Sequence, residues 1–131
     1  MERTILIVDD EPEISDALKR ALAPRGYRVA TCSEGRRVMS ALYDLKPDLL
    51  IMDVMLPGID GYTLMTRITA EGGAKLSRLP VIVMSALEPS RSMFMGFPQV
   101  TAFLSKPFEL GDMLAAVERA LGGGDAEPEA A

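Results

Sequence analysis

Three carboxylates, one hydroxyl and one ammonium group stand where short apolar runs end. Asp9 and Asp10 follow Ile5-Leu6-Ile7-Val8, Asp53 follows Leu49-Leu50-Ile51-Met52, and Ser85 follows Val81-Ile82-Val83-Met84. Lys106 comes just after Phe103-Leu104. Clustered acids attract a divalent cation, a lone carboxylate can act as a nucleophile, and an ammonium with a hydroxyl can hold an anion. Together the set suits a metal ion, an anionic carboxylate and an incoming phosphoryl group. The chemistry requires all of these side chains to meet in one place.

The elements that would bring them together are written in the spacing. Runs of Val, Ile and Leu flanked by helical patterns read as buried parallel strands. In an open α/β sheet, chemistry collects in the crevice at the carboxyl ends of such strands. Thr4–Val8 reads as the first strand. Pro12 suits the first turn of a helix, where its missing N–H is harmless, and Ile14, Leu18, Ala21 and Leu22 follow at helical spacing up to Gly26. Tyr27–Cys32 is the second strand. Ser33 is placed to cap a helix with Val38, Leu42 and Leu45 on one face, and Pro47 stops it before a third strand, Leu49–Met52. Pro57, Gly58, Asp60 and Gly61 are turn residues. Leu64, Met65 and Ile68 mark a helix ending near Gly72-Gly73, Val81–Met84 and Ala102–Leu104 are the last strands, and Leu110, Met113, Leu114, Val117 and Leu121 stripe the final helix. Five alternations of strand and helix predict a doubly wound α/β fold with a five-stranded parallel sheet and helices on both faces.

Composition excludes several functions. The 131 residues fit one domain, and the 5% aromatic content leaves aliphatic side chains to fill the core. A net charge of −5 argues against nucleic acid or an anionic membrane as a direct partner. No apolar run approaches the roughly 18 residues of a membrane helix, and Met1-Glu2-Arg3 leads straight into a strand rather than a signal sequence, so the cytoplasm is expected. The lone Cys32 has no internal disulfide partner and reads as a small buried hydrophobe. There is no histidine, which removes imidazole acid–base catalysis and any phosphohistidine of the chain's own. From residue 122 the sequence turns to Gly-Gly-Gly followed by Asp, Ala, Glu and Pro, a composition expected of a mobile tail or linker.

The order of these motifs resembles the receiver domain of bacterial response regulators, of the chemotaxis-receiver type. Val8-Asp9-Asp10-Glu11, the stretch Met52-Asp53-Val54-Met55-Leu56-Pro57-Gly58-Ile59-Asp60-Gly61, and Ser105-Lys106-Pro107-Phe108 carry the likeness. The resemblance implies a receiver domain over residues 1–121, a tail over 122–131, and a flavodoxin-like sheet of order 2-1-3-4-5. Asp53 would be the phosphoacceptor, giving an acyl phosphate. Asp9, Asp10 and Asp53 would hold Mg²⁺, a hard cation that wants oxygen ligands at about 2.0–2.1 Å, with the backbone carbonyl of Met55 as a further ligand. Lys106 would bind a phosphoryl oxygen, Ser85 would donate to the phosphorylated Asp53, and Phe103 would act as the switch aromatic. The implied donor is a histidine kinase or histidine phosphotransfer protein, and the implied output is a downstream protein bound at the Leu87–Phe108 face.

Each residue also has a plainer reading. Asp9, Asp10 and Glu11 could simply complement the positive end of a helix, Lys106 could be a solvated lysine, and Ser85 a capping serine. Asp53 has no obvious helix to cap. Carboxylates about 4 Å apart repel by roughly 4 kcal/mol at an effective dielectric of 20, so gathered acids call for a cation. Two features depart from the family. Phe103 stands where many relatives have tyrosine, and Pro89, Gly96 and Pro98 leave room for only about two helical turns within Leu87–Thr101. Met93, Phe94, Met95 and Phe97 there either repack onto the sheet or form a partner-binding surface. Three rivals remain at this level. An aspartyl-nucleophile phosphatase would want a second Asp where Met55 stands, and a flavodoxin-like cofactor carrier would not place Asp9-Asp10-Glu11 against a phosphate. The third is a degenerate receiver that serves only as a binding module.

Overall fold

The computed structural model describes residues 2–71 and 73–122. Five strands form one parallel sheet: β1 (Thr4–Val8), β2 (Arg28–Cys32), β3 (Leu49–Asp53), β4 (Val81–Ser85) and β5 (Val100–Ser105), in spatial order β2-β1-β3-β4-β5. Among the described residues six helices surround it: α1 (Pro12–Leu22), α2 (Val38–Leu45), α3 (Gly61–Glu71), the single-turn α4 (Gly73–Leu76), α5 (Arg91–Met95) and α6 (Leu110–Ala120). This is the expected doubly wound, flavodoxin-like arrangement.

Alternation along each strand builds two cores. Leu6, Val8, Leu50, Met52, Val81 and Val83 face one side, with Val38, Leu42, Leu64, Met65, Ile68 and Phe94. Ile5, Ile7, Leu49, Ile51, Ile82 and Met84 face the other, with Leu18, Leu22, Met113 and Val117. The strands β3 and β4 lie between neighbours on both edges and under helices on both faces, and every one of their residues is buried. That double burial is why their sequences are continuous apolar runs.

The structure differs from the sequence reading at element ends. Asp53 and Ser85 are the last residues of their strands, and β5 extends two residues further at its start and one at its end. Ser33 does not cap α2. A 3-10 turn, Gly35–Arg37, precedes that helix, and neither N-cap position, Glu34 or Arg37, carries a side-chain cap. Leu45 and Leu110 are exposed rather than on the buried stripes, and Cys32 is half-buried, its thiol 3.3 Å from the Glu34 carbonyl. The short helix between Pro89 and Gly96 is present as a 3-10 turn, Glu88–Ser90, followed by α5. Its apolar residues divide between the two expected roles: Phe94 is buried and Phe97 packs on the core, whereas Met93 and Met95 are exposed. The expected tail from residue 123 onward lies outside the described residues.

Candidate functional site

Backbone hydrogen bonds continue the parallel pairing past the strand ends and so fix where each polar side chain begins. The Asp9 N–H donates to the Cys32 carbonyl at 3.1 Å, Val54 N–H to Met84 at 3.1 Å, and Lys106 N–H to Ser85 at 2.8 Å. Asp9, Asp53, Ser85 and Lys106 are thereby held in a row along one edge of the sheet. The peptide between Lys106 and Pro107 is cis.

The loops just beyond are equally constrained. Asp53 Oδ1 accepts the Met55 N–H at 3.0 Å, and Asp9 Oδ1 accepts the Glu11 N–H at 2.9 Å, so each acid braces the chain two residues on. Gly58 adopts a φ of +95°, a conformation that favours glycine, which lets the chain turn back after Pro57. Gly61 passes so close to Val54 that a Cβ would sit 2.8 Å from the valine Cα. Its N–H donates to the Val54 carbonyl at 3.1 Å, closing the loop that follows Asp53.

At the centre of the site, Lys106 Nζ lies 2.8 Å from Asp53 Oδ2, 2.9 Å from Asp9 Oδ2 and 2.8 Å from Glu11 Oε1. Asp9 is 2% exposed and Asp53 4%, whereas Asp10 and the Glu11 side chain reach solvent. Burial pushes the Asp9 carboxyl above its ordinary pKa, partly offset by the Glu11 N–H and by Lys106. Burial also works against the charge on Lys106, but hydrogen bonds to Asp53, Glu11 and Asp9 overcome it and hold the ammonium well above the ordinary lysine range. It therefore stays charged across the physiological pH range.

Asp9, Asp10 and Asp53 each offer a carboxylate oxygen, and these oxygens all lie within 4.8 Å of one another. Three hard oxygen donors so close, two of them buried, fit a Mg²⁺ ion. Ser85 is completely buried, and its Oγ accepts the Leu87 N–H at 2.9 Å. Accepting that bond leaves the hydroxyl proton to be donated elsewhere. The Phe103 ring is 5% exposed and part of the core containing Phe94, with the Arg91 guanidinium 5.5 Å from its centroid. Arg91 also donates to the Phe103 carbonyl at 3.4 Å. The ring thus occupies an inward position.

Glu11 was not singled out from sequence as part of the site beyond its place beside the acid pair. Its partner is 95 residues away along the chain, and an acidic residue before a helix already has a sufficient local explanation. Met55 and Leu87, 56% and 48% exposed, stand two positions beyond Asp53 and Ser85.

Comparison with known proteins places this geometry in context. The family model for the response regulator receiver domain matches residues 5–118. The chain is 35% identical over 128 residues to the DNA-binding dual master transcriptional regulator RpaA of Synechocystis sp., covering 97% of this chain and 52% of that protein. Two solved structures are also similar. The signal receiver domain of a signal transduction histidine kinase from Syntrophus aciditrophicus has a TM-score of 0.79 and 30% identity, over 98% of this chain and 97% of that one. The receiver domain of sensor histidine kinase PA1611 from Pseudomonas aeruginosa PAO1 has a TM-score of 0.80 and 27% identity, over 93% of this chain and 99% of that one. In that second structure a magnesium ion is coordinated in the active site cleft. The chain spans about half the length, or less, of the curated relatives it matches.

Proposed function

The chain belongs to the response regulator receiver domain family, and from that premise we propose that Asp53 is its phosphoacceptor, charged by a phosphohistidine on a histidine kinase or histidine phosphotransfer protein. The observation that carries this reading is the Lys106 ammonium 2.8 Å from a buried Asp53, beside two further carboxylates. An Asp53 oxygen forms a bond to phosphorus as the donor P–N bond breaks. The imidazole, protonated on its other nitrogen, leaves neutral with the electron pair, so this chain needs no histidine of its own.

Asp9, Asp10 and Asp53 would hold Mg²⁺, with the Met55 carbonyl completing the protein ligands. Bound there, the ion supplies positive charge that offsets repulsion between carboxylate and phosphoryl oxygens. Lys106 exchanges a carboxylate for a phosphoryl oxygen, and the Ser85 hydroxyl donates to the same group. On this reading the domain catalyses only its own phosphorylation and dephosphorylation. It signals by changing the Leu87–Phe108 face, where Leu87, Met93 and Met95 are exposed, toward a downstream protein. RpaA is a DNA-binding regulator; the role proposed for these 131 residues is protein contact rather than direct contact with nucleic acid, given their charge of −5. Among the described residues no helix is long and apolar enough to cross a membrane, and the proposed setting is the cytoplasm. A domain over 1–121 followed by a linker over 122–131 completes the proposal.

Acetyl phosphate with Mg²⁺ should add one phosphoryl group to the protein, read as intact mass at neutral pH. Asp53→Asn should abolish the addition, and Lys106→Ala should slow it. Undiminished labelling of the Asp53→Asn protein would rule the assignment out.

A further inference from the structure

An ammonium group carries three protons, and those of Lys106 are all committed, to Asp9, Glu11 and Asp53 at 2.9, 2.8 and 2.8 Å. A phosphoryl oxygen arriving at Asp53 needs one of them. While the donor approaches, Asp53 is still a carboxylate, and breaking the ammonium's bond to it or to Asp9 would take a partner from a carboxylate whose side chain is 5% or 0% exposed and leave its charge to the metal alone. Glu11 is different, because its side chain is 55% exposed and rehydrates on release. Its backbone need not move, since the Glu11 N–H is fixed on Asp9 Oδ1 and its carbonyl accepts the N–H groups of Ile14 and Ser15 at the start of α1.

We propose that Glu11 is a positioning residue for phosphoryl uptake, a carboxylate placeholder that occupies on Lys106 the position the phosphoryl oxygen later takes. This rests on Asp53 being the acceptor. In the resting protein Glu11 keeps the third ammonium proton bonded and Lys106 aimed into the site. On phosphorylation its side chain swings to solvent and a phosphoryl oxygen replaces it. The placeholder has a cost in rate, because an anionic donor must displace one anion from the lysine and approach another. Water around the half-exposed Glu11 screens its attraction to the ammonium, so the cost is small and the exchange reversible.

The test is uptake from acetyl phosphate by wild-type and Glu11→Gln proteins, each at a Mg²⁺ concentration shown by calorimetry to saturate it. Glu11→Gln keeps the backbone contacts and removes the charge. It should take up phosphoryl about 1.4- to fivefold faster, the range spanned by a solvent-screened ion pair. Affinity for beryllofluoride, a phosphoryl mimic read without turnover, should rise by a similar factor. Both gains should vanish in a Lys106→Met background, because Glu11 acts through that ammonium. Equal or slower uptake by Glu11→Gln, or a gain that persists in the Lys106→Met background, would overturn the proposal. Asp53→Asn, assayed in parallel, separates the two readings: labelling there would remove the acceptor assignment itself, whereas an unlabelled Asp53→Asn with an unresponsive Glu11→Gln would remove only the placeholder.

Discussion

A buried aromatic at the end of an edge strand has little room to change rotamer unless something nearby vacates space. Phe103 already lies inward, with Arg91 against its ring and its carbonyl. Movement of Ser85 toward a phosphoryl group would open space beside the ring, and two packings within a few kcal/mol of each other suffice for a population shift. No aromatic hydroxyl takes part. Phe103→Tyr should therefore preserve the phosphorylation response. Phe103→Ala should blunt it and cost about 3–5 kcal/mol of stability by denaturant titration. If the phosphorylated Phe103→Ala protein bound its target as tightly as the wild type, packing at this position would not be part of the switch. A second prediction concerns how long a phosphoryl group on Asp53 would last. Met55 and Leu87, two positions beyond Asp53 and Ser85, are exposed, and neither side chain can orient a hydrolytic water by a strong hydrogen bond. Positioning or general-base help is worth about 10²-fold where it exists, so decay after donor removal should be faster in a Met55→Asn, Leu87→Glu double variant at constant Mg²⁺. Decay at the same rate or slower would mean that these two side chains do not control water.

At the scale of elements, the loop after Asp53 depends on how α3 begins. Asp60 is the N-cap: Oδ1 accepts the Thr63 N–H at 2.9 Å and Oδ2 the Thr63 hydroxyl at 2.9 Å. These bonds favour the ionised carboxyl and hold it below its ordinary pKa. The contribution is therefore complete above the unfolded value, about 3.9, and is lost as pH falls through the lower folded value. Asp60→Ala should cost about 1 kcal/mol near neutrality. The difference between wild type and variant in urea midpoints should narrow as pH falls below about 4; a constant difference from pH 7 to pH 3 would contradict the cap.

The elements themselves were largely legible, for a physical reason. Residues in β3 and β4 are buried on both faces, so nothing but apolar side chains fits between the terminal Asp53 or Ser85 and the strand start. Edge positions read less well. In β5, the exposed Thr101 sits at a register shift between Val81 and Ile82, which hid the strand's true start at Val100. Ser33 looked like a cap because caps are recognised by residue type, yet a 3-10 turn beginning at Gly35 takes over that role. The long-range bonds of Glu11 to Lys106, and of buried Gln99 to the Leu76 and Leu79 carbonyls, have no local signature at all.

For the whole molecule, the consequence of this topology is a site assembled from four strand ends and closed by a lysine 53 residues from Asp53. Such a site exists only when the sheet is formed, and its four acidic side chains against one ammonium leave it net negative before any metal or donor arrives. The acids of β1 and β3 meet the ammonium beyond β5, while the exposed apolar residues beside them face outward, toward where a partner would sense the change. On the proposed function, phosphoryl chemistry and partner binding would share one sheet edge, and communication between them would require only small rearrangements of loops already braced on it.

The most direct test of that arrangement is chemical identification of the phosphorylated residue. Borohydride reduces an aspartyl phosphate to homoserine, which stable phosphoesters of serine or threonine do not form. After treatment with acetyl phosphate and Mg²⁺, reduction and peptide sequencing by tandem mass spectrometry should find homoserine at position 53, and a chelator added before the donor should suppress it. Homoserine at position 9 or 10, or phosphoryl incorporation with none at position 53, would contradict the assignment of Asp53 as the acceptor.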